Sequence, residues 1–120
     1  MAITVAGLDA ALGILDATVY LGVHNGAPGA DGSTNELAGT RPAITFGAAA
    51  TDGTGRQRQG PGTAITFTNP GAGTYQAWSI WTADTGGTCR WIIPFDTNRT
   101  LVSGDDLRAA INSITCKIDV

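Results

Sequence analysis

Charge is what this 120-residue chain has least of. Asp, Glu, Lys and Arg make up 14% of it, against roughly 25% in an average soluble domain. A monomer with so few charges is poorly protected against self-association. The composition therefore points to a protein that lives inside an assembly, with an ordinary secreted β-domain as the plainer alternative. Basic residues are scarcer than acidic ones, 7 against 10, for a net charge of −3 and a pI of about 4.7. The only basic grouping is Arg56 and Arg58 in a glycine-rich stretch. Two charges are too few to neutralise a run of phosphates, which argues against a nucleic-acid partner. No apolar run reaches the roughly 18 residues of a membrane-crossing helix, so no membrane partner is expected. The first residues, Met1 to Gly7, lack a basic segment followed by an apolar one, so synthesis in a cytoplasm without a cleaved leader is expected.

Histidine and cysteine are nearly missing too. His24 is the only histidine, and Cys89 and Cys116 are the only cysteines. No Cys-x-x-Cys spacing exists, and His and Cys alone cannot assemble a zinc site. Both cysteines fall on the inward phase of expected strands. Buried thiols acting as small apolar groups is the favoured reading; a disulfide between two core strands is the other, disfavoured by cytosolic synthesis. No Gly-x-Ser-x-Gly run accompanies His24, which sits beside Asn25-Gly26 at a strand end, so no nucleophile is held for it by context. It reads as a histidine at a loop entrance whose loss leaves folding intact. The string Asp31-Gly-Ser-Thr-Asn-Glu36 clusters oxygen donors but lacks the ligand spacing of an EF-hand loop. No Gly-Lys-Ser/Thr phosphate motif follows any glycine-rich segment. No catalytic residue, cofactor or metal is expected.

What is present is aromatic and β-forming. Trp78, Trp81 and Trp91 fall within fourteen residues, in strand-like runs Thr74–Thr82 and Thr88–Pro94 joined by Ala83-Asp84-Thr85-Gly86-Gly87. Tyr75, Ala77, Ser79 and Trp81 share one phase of the first run; Gln76, Trp78, Ile80 and Thr82 share the other. Large groups on both faces predict a central strand buried on two sides, or one face covered by a neighbouring subunit. Tyr75, Trp78, Trp81 and Trp91 are therefore the candidate core and subunit-interface residues. Pro94 predicts that the second run ends there or lies at a sheet edge.

Elsewhere, Val5, Leu8, Leu12 and Leu15 recur at helical spacing and predict a short helix over Val5–Asp16. Alternation predicts strands over Thr18–Val23, Arg41–Gly47, Thr63–Thr68, Thr100–Val102 and Ile114–Val120. Asp105–Asn112 reads equally as a helical turn or a strand. Two stretches read as loops. His24–Thr40 carries Asn25-Gly26, Pro28-Gly29 and Asp31-Gly32, each a turn dipeptide. A loop this long is a place for partner contacts, with His24, Asn25, Asp31, Asn35 and Glu36 as candidates. Ala48–Gly62 is the second. About seven strands and one helix predict a single mainly-β domain over residues 1–120, with the helix at 5–16 and the β-part from about 18: an antiparallel sandwich or barrel-like domain.

Val19 to Leu37, Arg41-Pro42-Ala43-Ile44-Thr45-Phe46-Gly47-Ala48-Ala49, Ala64-Ile65-Thr66-Phe67, Gly73-Thr74-Tyr75, Ser79-Ile80-Trp81 and Thr85-Gly86-Gly87-Thr88 occur in a characteristic order. Together they resemble a family of small virion structural proteins of tailed bacteriophages, common in phages of actinobacteria and described as tail-fibre or minor tail proteins. The resemblance runs over about residues 5 to 95. It implies a non-enzymatic subunit of the virion, made in the host bacterial cytoplasm. Its partners would be copies of itself, with a trimer expected, and other virion proteins. A minor tail, tail-tip or tail-fibre role leads. Capsid decoration, a host-surface or carbohydrate-binding module and a small enzyme follow. Exposed paired aromatics in a groove would favour sugar binding; tryptophans buried between subunits would favour a structural role.

Overall fold

The computed structural model describes residues 6, 12–15, 17–52 and 55–119. Most of the helix expected over Val5–Asp16, including Val5 and Leu8, lies outside them. Its described end is a 3-10 turn, Gly13–Leu15, with Leu12 and Leu15 buried in the core. The remainder is antiparallel β-structure in three sheets. The largest has four strands: β1 (Val19–His24), β2 (Ala43–Ile44), β6 (Gly73–Trp81) and β7 (Cys89–Leu101), in the order β2-β1-β6-β7. A second joins β3 (Ala50–Asp52), β4 (Gly55–Gly60) and β9 (Ile114–Asp119). The third pairs β5 (Ile65–Phe67) with β8 (Leu107–Ala109).

One apolar cluster links the sheets. Val19, Leu21 and Val23 of β1 meet Tyr75, Trp78 and Ile80 of β6, Ile44, Phe46, Leu107, Ala109, Ile114 and Cys116. The period-2 side-chain alternation of β1 sends Tyr20, Gly22 and His24 to the opposite face. Ser79 and Trp81 of β6 lie outside the apolar cluster yet are also buried. β6 is thus a central strand buried on both faces, between β1 and β7.

Three departures from the expected strands have physical causes. The run 41–47 contributes only a two-residue strand to β1, because the chain changes partners after Ile44. The Thr45 carbonyl accepts from Gly62 N at 3.0 Å, and Gly47 N donates to the Gln59 carbonyl at 2.8 Å. This segment stitches the first sheet to the second. The stretch 48–62 is a β-hairpin and not a loop, its polar strand β4 held by six register pairs with β9 from Gly55↔Asp119 to Gly60↔Ile114. Pairing partners outweigh intrinsic preference in sheets. The ambiguous 105–112 stretch contains the three-residue strand β8, with Leu107 and Ala109 buried.

β7 continues through Pro94, which is possible because it is an edge strand and an edge leaves one side of the backbone without a ladder to supply. The register then breaks. Ala77 faces Pro94, but Tyr75 faces Arg99, so residues 95–98 of β7 oppose Gln76 alone. That surplus bulges the edge outward.

Candidate functional site: a buried polar clamp beneath the long loop

The face of the large sheet opposite the apolar core is roofed by the chain's own 25–41 segment. The roof begins where β1 ends. His24 and Glu36 form an isolated antiparallel bridge, Asn25 N donates to the Asn35 carbonyl at 3.1 Å, and Leu37 N to the Val23 carbonyl at 2.8 Å. The intervening loop closes on itself. Thr34 N donates to the Pro28 carbonyl, Asn35 Nδ2 to the Ala27 carbonyl, and the Ser33 hydroxyl to Asp31 Oδ1 at 2.6 Å. The Ser33 hydroxyl and amide both stabilise the ionised Asp31 carboxylate and lower its pKa. Asn35 takes a positive φ of 59°, a conformation Asn tolerates better than most residues.

Beneath this roof lies a chain of hydrogen bonds. His24 Nδ1 is 2.9 Å from the Thr34 carbonyl oxygen. A carbonyl only accepts, so Nδ1 carries a proton, and in the neutral ring Nε2 is then the acceptor. Ser79 Oγ lies 2.8 Å from Nε2 and donates to it. The same oxygen accepts from Trp81 Nε1 at 2.7 Å. His24 and Ser79 are wholly buried, and no buried side-chain nitrogen or oxygen among the described residues lacks a partner.

Arg41 closes the clamp. Its Nε and Nη2 grip both oxygens of Glu36, the chain's only glutamate, at 2.6 and 2.9 Å. Its Nη1 donates to the carbonyls of Ala83 and Gly86 in the β6–β7 turn at 3.0 and 2.8 Å. Its backbone N donates to Asp84, and its guanidinium carbon stands 3.7 Å from the centre of the Trp81 ring. The pair is mostly sheltered, with side-chain exposures of 10% for Arg41 and 16% for Glu36. Planar guanidinium suits this double duty of fork and stacked cation. Gly22 makes the close packing possible. A Cβ there would overlap Glu36 Oε2 and come within 2.5 Å of Ser79 Oγ. Gly32, at φ +74°, lets the roof lie against Cys89, whose Sγ would be 2.6 Å from an added Cβ.

The expected site residues therefore separate. Tyr75 is fully buried, its hydroxyl donating to the Gly71 carbonyl at 3.0 Å. Trp78, 8% exposed, stacks between Phe67 and Phe95 with ring centres 5.9 and 4.8 Å away. Trp81 is 6% exposed. These three are buried within the single chain, so the second covered face of β6 needs no neighbouring subunit. Trp91 is half-buried on the edge strand. Of the five loop candidates, Asn25, Asp31 and Asn35 are exposed, Glu36 is half-buried in the clamp, and His24 is not at the loop surface at all. Arg41 and Ser79 were missed as members of this cluster. The sequence signal for Ser79 was its place on the Trp81 phase, where a small polar group among tryptophans needs a partner.

Both cysteines are free. Cys116 is buried, and burial pushes its thiol up to about 12. Cys89 is only half-buried, contrary to expectation, with its thiol also raised by burial. Arg58, read from the sequence as part of a polar loop, is buried. It donates to the carbonyls of Gly47 at 2.7 Å, Leu12 at 3.4 Å and Phe46 at 3.5 Å.

The Ser79–His24 pair has the spacing of a nucleophile and base. Neither atom can be reached from solvent in this arrangement, and Ser79 Oγ is already engaged on both sides. Chemically the cluster is a fastener between β1, β6, the roof and the β6–β7 turn. It lies in a chain that is mainly antiparallel β-structure. The family described as Podophage GP4 fiber I protein gp80 matches residues 14–117. The chain belongs to that family, which makes it a virion-associated phage protein of the tail-fibre kind. No curated protein matches the chain.

Proposed function

We propose that this protein is a non-enzymatic structural subunit of a phage tail fibre, at minor-tail or tail-tip level, working by packing against copies of itself and other virion proteins. The observation that carries the reading is the fibre-family match across residues 14–117. The buried state of the Ser79–His24 pair supports a structural and not a catalytic use. In this reading the three sheets wrap their common core as a sandwich- or barrel-like domain over the whole chain, and the assembly is a homo-oligomer, a trimer being the expected state. The actinobacterial host belongs to the sequence resemblance alone. The surface best suited to subunit contact is the free edge of β7 with half-buried Trp91, Ile92 and Ile93. Exposed Val102 and Ile111 are further apolar candidates. Edges of this kind pair readily with another chain.

The deciding experiment is the copy number per virion, by quantitative mass spectrometry of purified particles, with antibody labelling to locate the protein. A small multiple of the tail symmetry with label at the tail supports the proposal. A number matching the capsomers, with label on the head, overturns it in favour of capsid decoration. Sedimentation of the purified protein tests the oligomer, and a monomer at all concentrations would remove self-packing from the reading.

A further inference from the structure

The outward bulge of β7 leaves a cleft of about 570 Å³ between that strand and the β8–β9 region. Half-buried Phe95 supplies its aromatic wall, backed by the buried Trp78, and Asn98, Ser113 and Thr115 supply amide and hydroxyl groups. Arg99 and Arg108 line it as well. These two differ from the arginines of the interior. Arg58 is buried and Arg41 mostly sheltered, and both spend their donors on carboxylate or carbonyl oxygens. The side chains of Arg99 and Arg108, both exposed, make no hydrogen bond or ion pair with any other described residue. Asp96, the cleft's one acidic residue, pairs with neither. The lining thus carries a net charge of +1 in a protein whose net charge is −3.

We infer that this cleft binds an acidic carbohydrate, with Arg99 and Arg108 holding its carboxylate or phosphate groups. Uncommitted guanidinium groups offer a planar fork to such oxygens. The aromatic wall offers an apolar surface to the C–H face of a sugar ring, and the amide and hydroxyl groups match sugar hydroxyls. A volume of this size falls within the range of small-ligand sites. The aromatic and hydroxyl lining favours a sugar over an acidic peptide, which needs the charges alone. The inference stands on the cleft and is independent of where in the virion the protein sits.

The test is calorimetric titration of the full chain with tetragalacturonate, a neutral galactose tetramer and tetraglutamate. Tetragalacturonate is expected to bind, the neutral sugar at least about tenfold more weakly, and tetraglutamate more weakly than the uronate. Arg99→Gln and Arg108→Gln should each weaken uronate binding about tenfold, the scale of one lost charge-assisted bond. Arg99→Lys should lose less, since it keeps the charge without the fork. Arg90→Gln, an exposed arginine outside the cleft, should change nothing. The three positions are exposed, so thermal unfolding of each variant should match the parent. Absence of uronate binding overturns the proposal, as does full affinity in the Arg99→Gln/Arg108→Gln double variant. Equal or tighter binding of tetraglutamate overturns it in favour of an acidic protein segment.

Discussion

Replacing Arg41 with alanine should destabilise the fold by about 3 kcal/mol. The change removes a bidentate ion pair, two bonds to the β6–β7 turn and the cation resting on Trp81. Breaking a buried pair by deleting one partner typically costs about 3–5 kcal/mol, because the remaining charge loses its compensation. Glu36 retains 16% exposure and can recover some water, which puts the expectation at the low end of that range. Unfolding entropy near about 2.1 cal/mol/K per residue gives about 0.25 kcal/mol/K for this chain, so the midpoint should fall by about 12 °C. The assay is thermal and urea unfolding followed by tryptophan fluorescence, at one fixed protein concentration so that association does not shift the midpoint. Glu36→Ala and the double variant complete the cycle. If the two side chains act as a unit, the double variant should be little worse than Arg41→Ala, leaving a coupling of about 1.5 kcal/mol or more. Amide exchange separates local from global loss. Asn25 and Leu37, which bond across the roof's base, should exchange faster even where core strands do not. A cost below about 1 kcal/mol, or strict additivity, would refute the reasoning and make the pair a surface contact of the ordinary weak kind.

Ser79→Ala should cost about 2–6 kcal/mol by equilibrium unfolding, because it strands both His24 Nε2 and the Trp81 N–H inside the protein at about 1–3 kcal/mol each. His24→Ala should likewise reduce stability, reversing the expectation that this residue is dispensable for folding; an unchanged unfolding curve would show that the bond chain contributes nothing net. Gly22→Ala should lower the melting temperature markedly, since its methyl group meets Glu36 and Ser79, whereas Gly104→Ala, at φ +94° with open space around it, should show backbone strain only. Native labelling with a thiol reagent should leave Cys116 unmodified and Cys89 slow. Cys116 should also make stability fall at high pH: its folded pKa of about 12 exceeds that of an unfolded thiol, so the contribution is complete below about pH 8.5 and is lost above it by up to about 1.4 kcal/mol per pH unit. Cys116→Ala should flatten that slope relative to the parent.

The parts of this fold that were legible in the sequence are those set by local pattern. The Trp78–Trp91 hairpin was visible because alternation on both sides of a Gly86-Gly87 turn specifies two strands and their junction. The double burial of β6 was visible for the same reason, since Trp78 and Trp81 lie on opposite phases. What covered the Trp81 face was not visible. Periodicity reports that a face is hidden and is silent about the cover, which here is a glycine-rich loop pinned by Glu36 and Arg41, at a spacing of five that belongs to neither helix nor strand. β4 was illegible because Gly55-Arg56-Gln57-Arg58-Gln59-Gly60 contains no apolar residue; its strand state comes from β9, more than fifty residues away. The cleft was hidden by Pro94, which reads as a strand end when the strand bulges and resumes.

The same residues change the meaning of the low charge. Of seven basic residues, Arg41 and Arg58 are sheltered inside the fold, so the surface is poorer in positive charge than the composition states. The tryptophans do not make up that deficit as an interface, because Trp78 and Trp81 are buried within one chain. Among the described residues, an assembly surface would draw on what remains outside: the β7 edge, Val102 and Ile111. The edge offers backbone pairing together with half-buried Trp91, Ile92 and Ile93, and Val102 and Ile111 add exposed apolar groups. An edge broken at Pro94 and bulged at 95–98 can offer that pairing only on either side of the break. The bulge that breaks the edge is also what opens the cleft, so one local feature of β7 would restrict pairing with another copy and exposes Arg99 to solvent.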